Sequence, residues 1–493
     1  MNFRISNLLL LFFSFSTCFA QKQVMHLENV TYSNFIKDRT AFSLSNSATG
    51  DLALVIPDKR TLTAHLFDKD FKKVDEITAE SLRIKFKEII GYRVSNKHYT
   101  TLFSTDNKRY FGVVDFDFET GKTTTEQLDL DMGGEEVLEA VTHNNRFFLL
   151  SLDSNFAGLI IRELLENRTF DRKELKIDSP ASFKDLLTRR NKADDLGKRK
   201  GSIFNEALPP EIVEIDNNNP NSLETTSKLN KLYAEGEILI LTFDNFEAFT
   251  VAYFIDLNNF AVKEKRFQKE QIDNQPLEKS NSFLYENYLF QLGVNNDRMV
   301  FTVTDFSTGK NLKTYRATKD RVINFKNSLL LQKNGMFMAN DGVRPLDDTS
   351  QYLRKITNGQ PGIAIQKING VYQTTIGGTQ PMGSGGGGAM MMVGGGLAGG
   401  AIGAMIVSTT FNPTYMSYGS YANTKSIYIE SLFDAEFNHI EGKARENVFD
   451  KVKTYQDSFK KIDAEEVFSH NEKVYFGYYN KKSEVYNIVE FEN

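Results

Sequence analysis

Residues 248–267 read AFTVAYFIDLNNFAVKEKRF, and their reading decides the fold. Phe249, Val251, Tyr253 and Ile255 alternate with smaller or more polar neighbours, the period of two expected of a strand. Asp256, Leu257, Asn258 and Asn259 then supply a turn, and a charged second strand follows. The same formula of aromatic or β-branched strand, acidic or Asn/Gly turn and charged strand recurs at 62–77, 110–128, 158–175, 300–315 and 426–440.

Working outward from these copies gives sets of four short strands. The first comprises 40–45, 51–57, 61–67 and 71–77, the second 88–95, 97–104, 108–115 and 121–128, and the third 135–143, 145–152, 155–163 and 168–176. The last turns of these sets, at Asp68, Phe118 and Glu166, are separated by 50 and 48 residues, and Leu257 and Phe306 in later sets by 49. Larger steps of 91 and 128 residues mark insertions. These lie at 178–228, 318–360 and, interrupting a sixth set, 380–423. The first insertion is expected to carry a helix over 180–190 capped by Ser179. The second is expected to hold a hairpin over 329–338, across Asn334-Gly335. A helical pattern over 445–461 leads into three final strands, and the missing fourth is supplied by the lone strand at 23–32.

Four-stranded sets at a period of about 50 residues resemble β-propeller blades. The resemblance implies an all-β fold of about seven four-stranded blades closed by N- and C-terminal strands, with six or eight blades, or two stacked β domains, as alternatives. It rests on pattern alone. With no tryptophan there is no WD dipeptide, no Asp box ending in Trp and no quinoprotein docking motif, and kelch-type Gly-Gly doublets do not recur.

The chain opens with Arg4, an apolar run over 8–15 and small residues at Cys18 and Ala20, the layout of a signal peptide over 1–20. The expectation is export, to the periplasm, the outer membrane or beyond the cell, with 21–493 as one propeller domain. Lipidation of Cys18 is the alternative, against which Phe15 and Thr17 depart from the usual lipobox. Cys18 is the sole cysteine, so the remainder has no disulfide and depends on a large core. Hydrophobic residues at 40% and charged residues at 25% suit a globular chain, and a net charge of −5 argues against nucleic acid as a partner.

In a propeller the three insertions would crowd one face, around the mouth of the central channel, where binding usually resides. No charged residue or histidine occurs from 369 to 424, and 388–407 (GAMMMVGGGLAGGAIGAMIV), running from Gly388 to Val407, is long enough to contact or span a membrane. Its glycines weaken that reading and favour a loop. Met390, Met391 and Met392 offer soft apolar contacts for a ligand, or thioethers for copper(I). Tyr415, Tyr418 and Tyr421 follow in what reads as an uncharged loop, where they could stack on a sugar or peptide or pin the loop to the scaffold. Asp115, Asp117 and Glu119 alternate before Gly121 like part of a calcium loop, but Thr120 stands where its glycine belongs, and a solvated strand end is the simpler reading. No other cofactor is called for. The basic residues Arg189, Arg190, Lys192, Lys198, Arg199 and Lys200 are interrupted by Asp194 and Asp195 and read as a solvated loop.

Three functions follow. The first is a non-enzymatic binding or scaffold module for a protein, peptide or glycan on the loop-bearing face. The second is a hydrolase or lyase, which requires two or more acids with perturbed pKa values in the channel. The third is an envelope component anchored by 388–407.

Overall fold

Strand-forming stretches alternate with Asp-centred turns along the whole chain, and the result is seven antiparallel sheets of four or five strands each. The structure, a computed structural model, describes residues 21–28, 30, 41–58, 60–154, 158–178, 186, 212–246, 248–271, 277–333, 342–379, 406–407, 411–423, 425–459 and 462–492. Five of the sheets are simple meanders whose first strand meets the first strand of a neighbouring blade and whose last strand lies on the outer rim. The outer strands Lys73–Glu80 and Lys122–Gln127 are mostly exposed, whereas the middle strands are buried on both faces because each sheet packs between two others. This is a seven-bladed β-propeller.

The turn that repeats has a physical cause. Asp256 Oδ1 accepts the N–H of Asn258 at 2.8 Å, and Phe260 closes the turn at φ +59°. Asp68, Asp117, Asp305 and Asp434 likewise accept the N–H of a residue two or three positions on. Phe71, Gly121, Gly309 and Phe437 then take the left-handed backbone. Each aspartate stands at the third-to-fourth-strand or equivalent turn and mimics a backbone acceptor there. That is why the acidic turn recurs at blade spacing.

Two blades depart from the meander. In blade seven, Asp463–His470, Lys473–Asn480 and Val485–Phe491 are completed on the outer rim by Lys22–Leu27, paired antiparallel with Val485–Phe491. The two ends of the described chain share this blade, so the ring is closed by a sheet rather than by a covalent link. Blade six comprises Gln360–Ile368, Val371–Thr379 and Ser426–Phe433, but its outer strands are Leu331–Lys333 and Val343–Pro345 from the preceding insertion. The expected hairpin over 426–440 is therefore one strand, with only an isolated bridge between Phe433 and His439 beyond it.

Four helices complete the description: α1 (Leu223–Thr226), α2 (Thr349–Asn358), α3 (Pro413–Asn423) and α4 (Val448–Gln456). The expected helix over 445–461 is the shorter α4, because Asn447 and Asp450 form a capping box that fixes its start. The expected uncharged loop carrying Tyr415, Tyr418 and Tyr421 is the helix α3. The helix expected over 180–190 falls outside the described residues except at Leu186.

The channel is filled by the returning ends of two insertions. Val213–Ile215 runs parallel beside Asn230–Glu235, the first strand of blade four, and Ile406–Val407 runs parallel beside Glu88–Ser95, the first strand of blade two. Phe411 then packs edge-on against Phe42 and Tyr92 of blades one and two, with centroids 5.6 and 6.0 Å away. The two segments meet where Asn219 donates to Thr414 Oγ1 at 3.0 Å and Ser417 donates to the Pro220 carbonyl at 3.0 Å.

Candidate functional site

Where α1 and α3 meet blade six, a small open cleft with a cavity volume of about 100 Å³ remains. The blade forms one wall: Ala364, Thr375 and Glu430 lie in one register row, and Tyr428 and Ser426 follow on the same face by strand alternation. Lys333, paired in register with Ser426, extends that wall outward. The opposite wall is Glu224 of α1 with Ser420 and Tyr421 of α3. The two helices are fastened by a hydroxyl pair, Ser222 Oγ with Ser420 Oγ at 2.6 Å.

The cleft mixes charge with aromatic surface. Lys333 donates to the Tyr421 carbonyl at 2.7 Å and lies 5.3 Å from the centre of the Tyr421 ring. Burial pulls the Lys333 ammonium below its usual pKa, and burial, with Asp450 nearby, raises the Glu430 carboxyl. Burial also pushes the Tyr428 hydroxyl up to about 12. The cleft opens at the edge where the insertions leave blade six, since Lys333, Thr379 and Ser426 are strand ends.

The sequence-predicted residues are distributed differently. Tyr421 lines the cleft and donates to Asp450 Oδ1 at 2.7 Å. Tyr418 is 4% exposed and donates to Gln456 at 2.5 Å. Tyr415, Tyr418 and Tyr421 all pack against the apolar cluster of α4 and blade seven, so the three rings pin α3 to the scaffold. Met390, Met391 and Met392 lie outside the described residues, as does 388–405. Asp115, Asp117 and Glu119 are not brought together. Asp115 is 1% exposed and takes Arg168 Nη1 at 3.1 Å, while Asp117 is occupied by its own turn, accepting from Glu119 N and from Thr120 at N and Oγ1. The alternation that suggests a calcium loop is thus a blade-to-blade ion pair followed by a structural turn. Among the described residues no group of three or more His, Cys, Asp or Glu is arranged to hold a metal ion.

Sequence reasoning missed the channel acids. Burial, with Glu139 and Asp216 close by, raises the Glu214 carboxyl well above its usual value. Asp216 is raised by burial too, although Asn218, Asn219 and Thr414 all donate to it. Glu466, on the first strand of blade seven, is pushed up to about 7 by burial. It accepts from Ser43 N and Oγ at 2.9 and 2.8 Å and from Asn412 at 3.4 Å. Nothing in a lone sequence marks these four acids: Glu214 follows Glu139 by 75 residues, Asp216 follows Glu214 by two, and Glu466 lies 252 residues beyond Glu214.

No family model matches the chain, and no curated protein matches it in sequence. Among solved structures it is similar, at 9% identity and a TM-score of 0.28, to a mutant of the Synechocystis apocarotenoid oxygenase, over 54% of this chain and 58% of that one. The chain thus spans well under two thirds of that enzyme. A cobalt-substituted form of the same oxygenase is matched at 9% identity over 60% of this chain and 62% of the other, with a TM-score of 0.27. A structure described as the Dos1 propeller is matched over 96% of this chain and 95% of that one, at 9% identity and a TM-score of 0.28.

Proposed function

We propose that the protein is a binding module that takes a hydroxyl-rich ligand, a glycan, in the cleft between blade six and the helices α1 and α3. The observation that carries this reading is the composition of the cleft. Tyr421 and Tyr428 offer aromatic surface for a sugar ring. Glu224 and Glu430 accept from hydroxyls, and Lys333 donates to ring or glycosidic oxygens. A glycan array probed with the unaltered protein and with Tyr428→Ala and Glu430→Gln tests it. Binding to a defined set of glycans, lost in both variants, is expected; binding that both variants retain would remove the cleft from consideration.

A second reading is a channel-centred hydrolase, favoured by Glu214, Asp216 and Glu466, whose carboxyls burial raises, with Glu139 close to Glu214. Two features weigh against it. Glu466 and Asp216 are fully engaged with Ser43, Asn412, Asn219 and Thr414, and Phe411 fills the space beside Phe42 and Tyr92. Hydrolysis of chromogenic glycosides or peptides that disappears in Glu214→Gln would favour it over simple binding.

A further inference from the structure

The cleft between blade six and the helices carries its opposite charges at different places along one strand. Lys333 is paired in register with Ser426, and Glu430 lies four residues further along Ser426–Phe433, about 13 Å away at the rise of a strand. Tyr428 stands between them on the same face. Among the described residues no carboxylate lies within ion-pair distance of Lys333. The half-buried ammonium has one acceptor, the Tyr421 carbonyl at 2.7 Å, and the Tyr421 ring with its centre 5.3 Å away. An ammonium carries three N–H groups, so donors are left over. The charge of Asp450 reaches Lys333, but both Asp450 oxygens are engaged, Oδ1 by the Tyr421 hydroxyl at 2.7 Å and Oδ2 by the Asn447 N–H at 3.0 Å. Lys453, itself held by Asp457, adds positive charge at the same end.

A partly buried ammonium without a counter-ion costs free energy, and an ordinary surface lysine escapes that cost by swinging its head into water. Lys333 is held in place instead, because Tyr421, to which it is bonded, is anchored to α4 through Asp450 and packs on Phe449. The position is thus prepared for an anion that arrives from the open edge, where Lys333, Thr379 and Ser426 are strand ends. Glu224 and Glu430 elsewhere in the cleft limit how much negative charge can enter. A ligand with one carboxylate therefore answers Lys333 better than a doubly charged phosphate or a polysulfate.

On the basis that the cleft takes a glycan, we propose that this glycan is acidic, with the carboxylate of a uronic acid paired to Lys333, a ring against Tyr428 and hydroxyls donating to Glu430. An array of oligogalacturonate, oligoglucuronate and alginate fragments, each beside its methyl ester and beside neutral oligosaccharides, tests it with the full chain. One acid is expected to bind at least tenfold more tightly than its ester, an advantage that shrinks as salt rises. Lys333→Met should remove the preference for the acid. The comparison of acid with ester on the unaltered chain needs no variant, so a misfolded mutant does not decide the matter. Equal binding of acid and ester, binding of neutral saccharides alone, or a preference for the acid that survives in Lys333→Met would overturn the proposal and leave the glycan-binding role standing. Equal capture of dextran sulfate would overturn it too, by showing a contact that reads charge alone. Failure to bind any saccharide on the array would overturn both.

Discussion

Glu466 of blade seven accepts both the backbone N–H and the hydroxyl of Ser43 of blade one, at 2.9 and 2.8 Å. Asp244 of blade four does the same to Ser282 of blade five, at 2.8 and 2.7 Å. One buried carboxylate thus reads two donors of the next blade's first strand at two places in the ring. The difference lies in compensation: Asp244 has Lys231 and Lys269 within 3.7 and 3.2 Å, and Glu466 has no cation recorded against it among the described residues.

The first prediction concerns pH. The Glu466 carboxyl is raised from 4.5 to about 7, so the folded state holds a proton that the unfolded chain releases in between. Its contribution is fully present below pH 4.5 and is lost as pH rises through 7, by roughly 3 kcal/mol. Glu466→Gln keeps the acceptor and removes the titration. It should be more stable than the unaltered protein at pH 8 by about that amount and equal to it near pH 4. His65 and His470, each lowered by burial to about 4, act in the opposite sense, losing stability as pH falls from 6.5 through 4. They are common to both proteins and cancel in the difference between the two urea-unfolding curves.

Removing Asp244 should be far more damaging. Burial alone would raise its pKa, yet the Lys269 and Lys231 ammoniums, with Thr250 and Ser282, outweigh burial and hold it below the usual range. Lys231 itself is pulled down to about 8 by burial. Asp244→Ala leaves two buried ammoniums without a counter-charge and should cost about 3 to 5 kcal/mol in urea unfolding at neutral pH. A loss below 1 kcal/mol would show that the ammoniums release their protons instead.

The repeated turn gives a milder effect. Asp256→Ala removes the acceptor for Asn258 N and the Asn259 amide, at 2.8 and 3.1 Å. A loss of about 1 kcal/mol is expected, with the midpoint shifting and the slope of the denaturation curve unchanged.

Closure of the ring is tested by shortening the chain. Lys22–Leu27 is the outer strand of blade seven, and Met25 and Leu27 enter an apolar cluster with Tyr486 and Ile488. Deleting residues 22–27 exposes the edge of Val485–Phe491. A lower melting temperature is expected, with concentration-dependent association seen by light scattering.

These predictions divide between what was legible in the sequence and what was not. The blades were legible because Asp68, Asp117, Asp256, Asp305 and Asp434 do the same work in the same turn, and because buried strands alternate around them. The shared seventh blade followed from counting strands. The outer strands of blade six were not legible as such, since Leu331–Lys333 and Val343–Pro345 have three residues each and no measurable period. The same holds for the channel strands Val213–Ile215 and Ile406–Val407. α3 was mistaken for a loop because its Gly, Ser and Asn are poor helix formers, and Tyr415, Tyr418 and Tyr421 hold it by packing on Phe449 and blade seven. Of the candidate site, only Tyr421 was singled out beforehand. Glu224, Lys333 and Glu430 come from three distant stretches, and only the sheet register brings them to one cleft.

The central claim is that this cleft is where the protein meets its ligand. Hydrogen exchange measured with and without a saturating oligosaccharide chosen from the array tests it most directly. Slowed exchange confined to 331–333, 420–421 and 426–430 is the predicted result. Protection elsewhere on the ring, with these stretches unchanged, would contradict it.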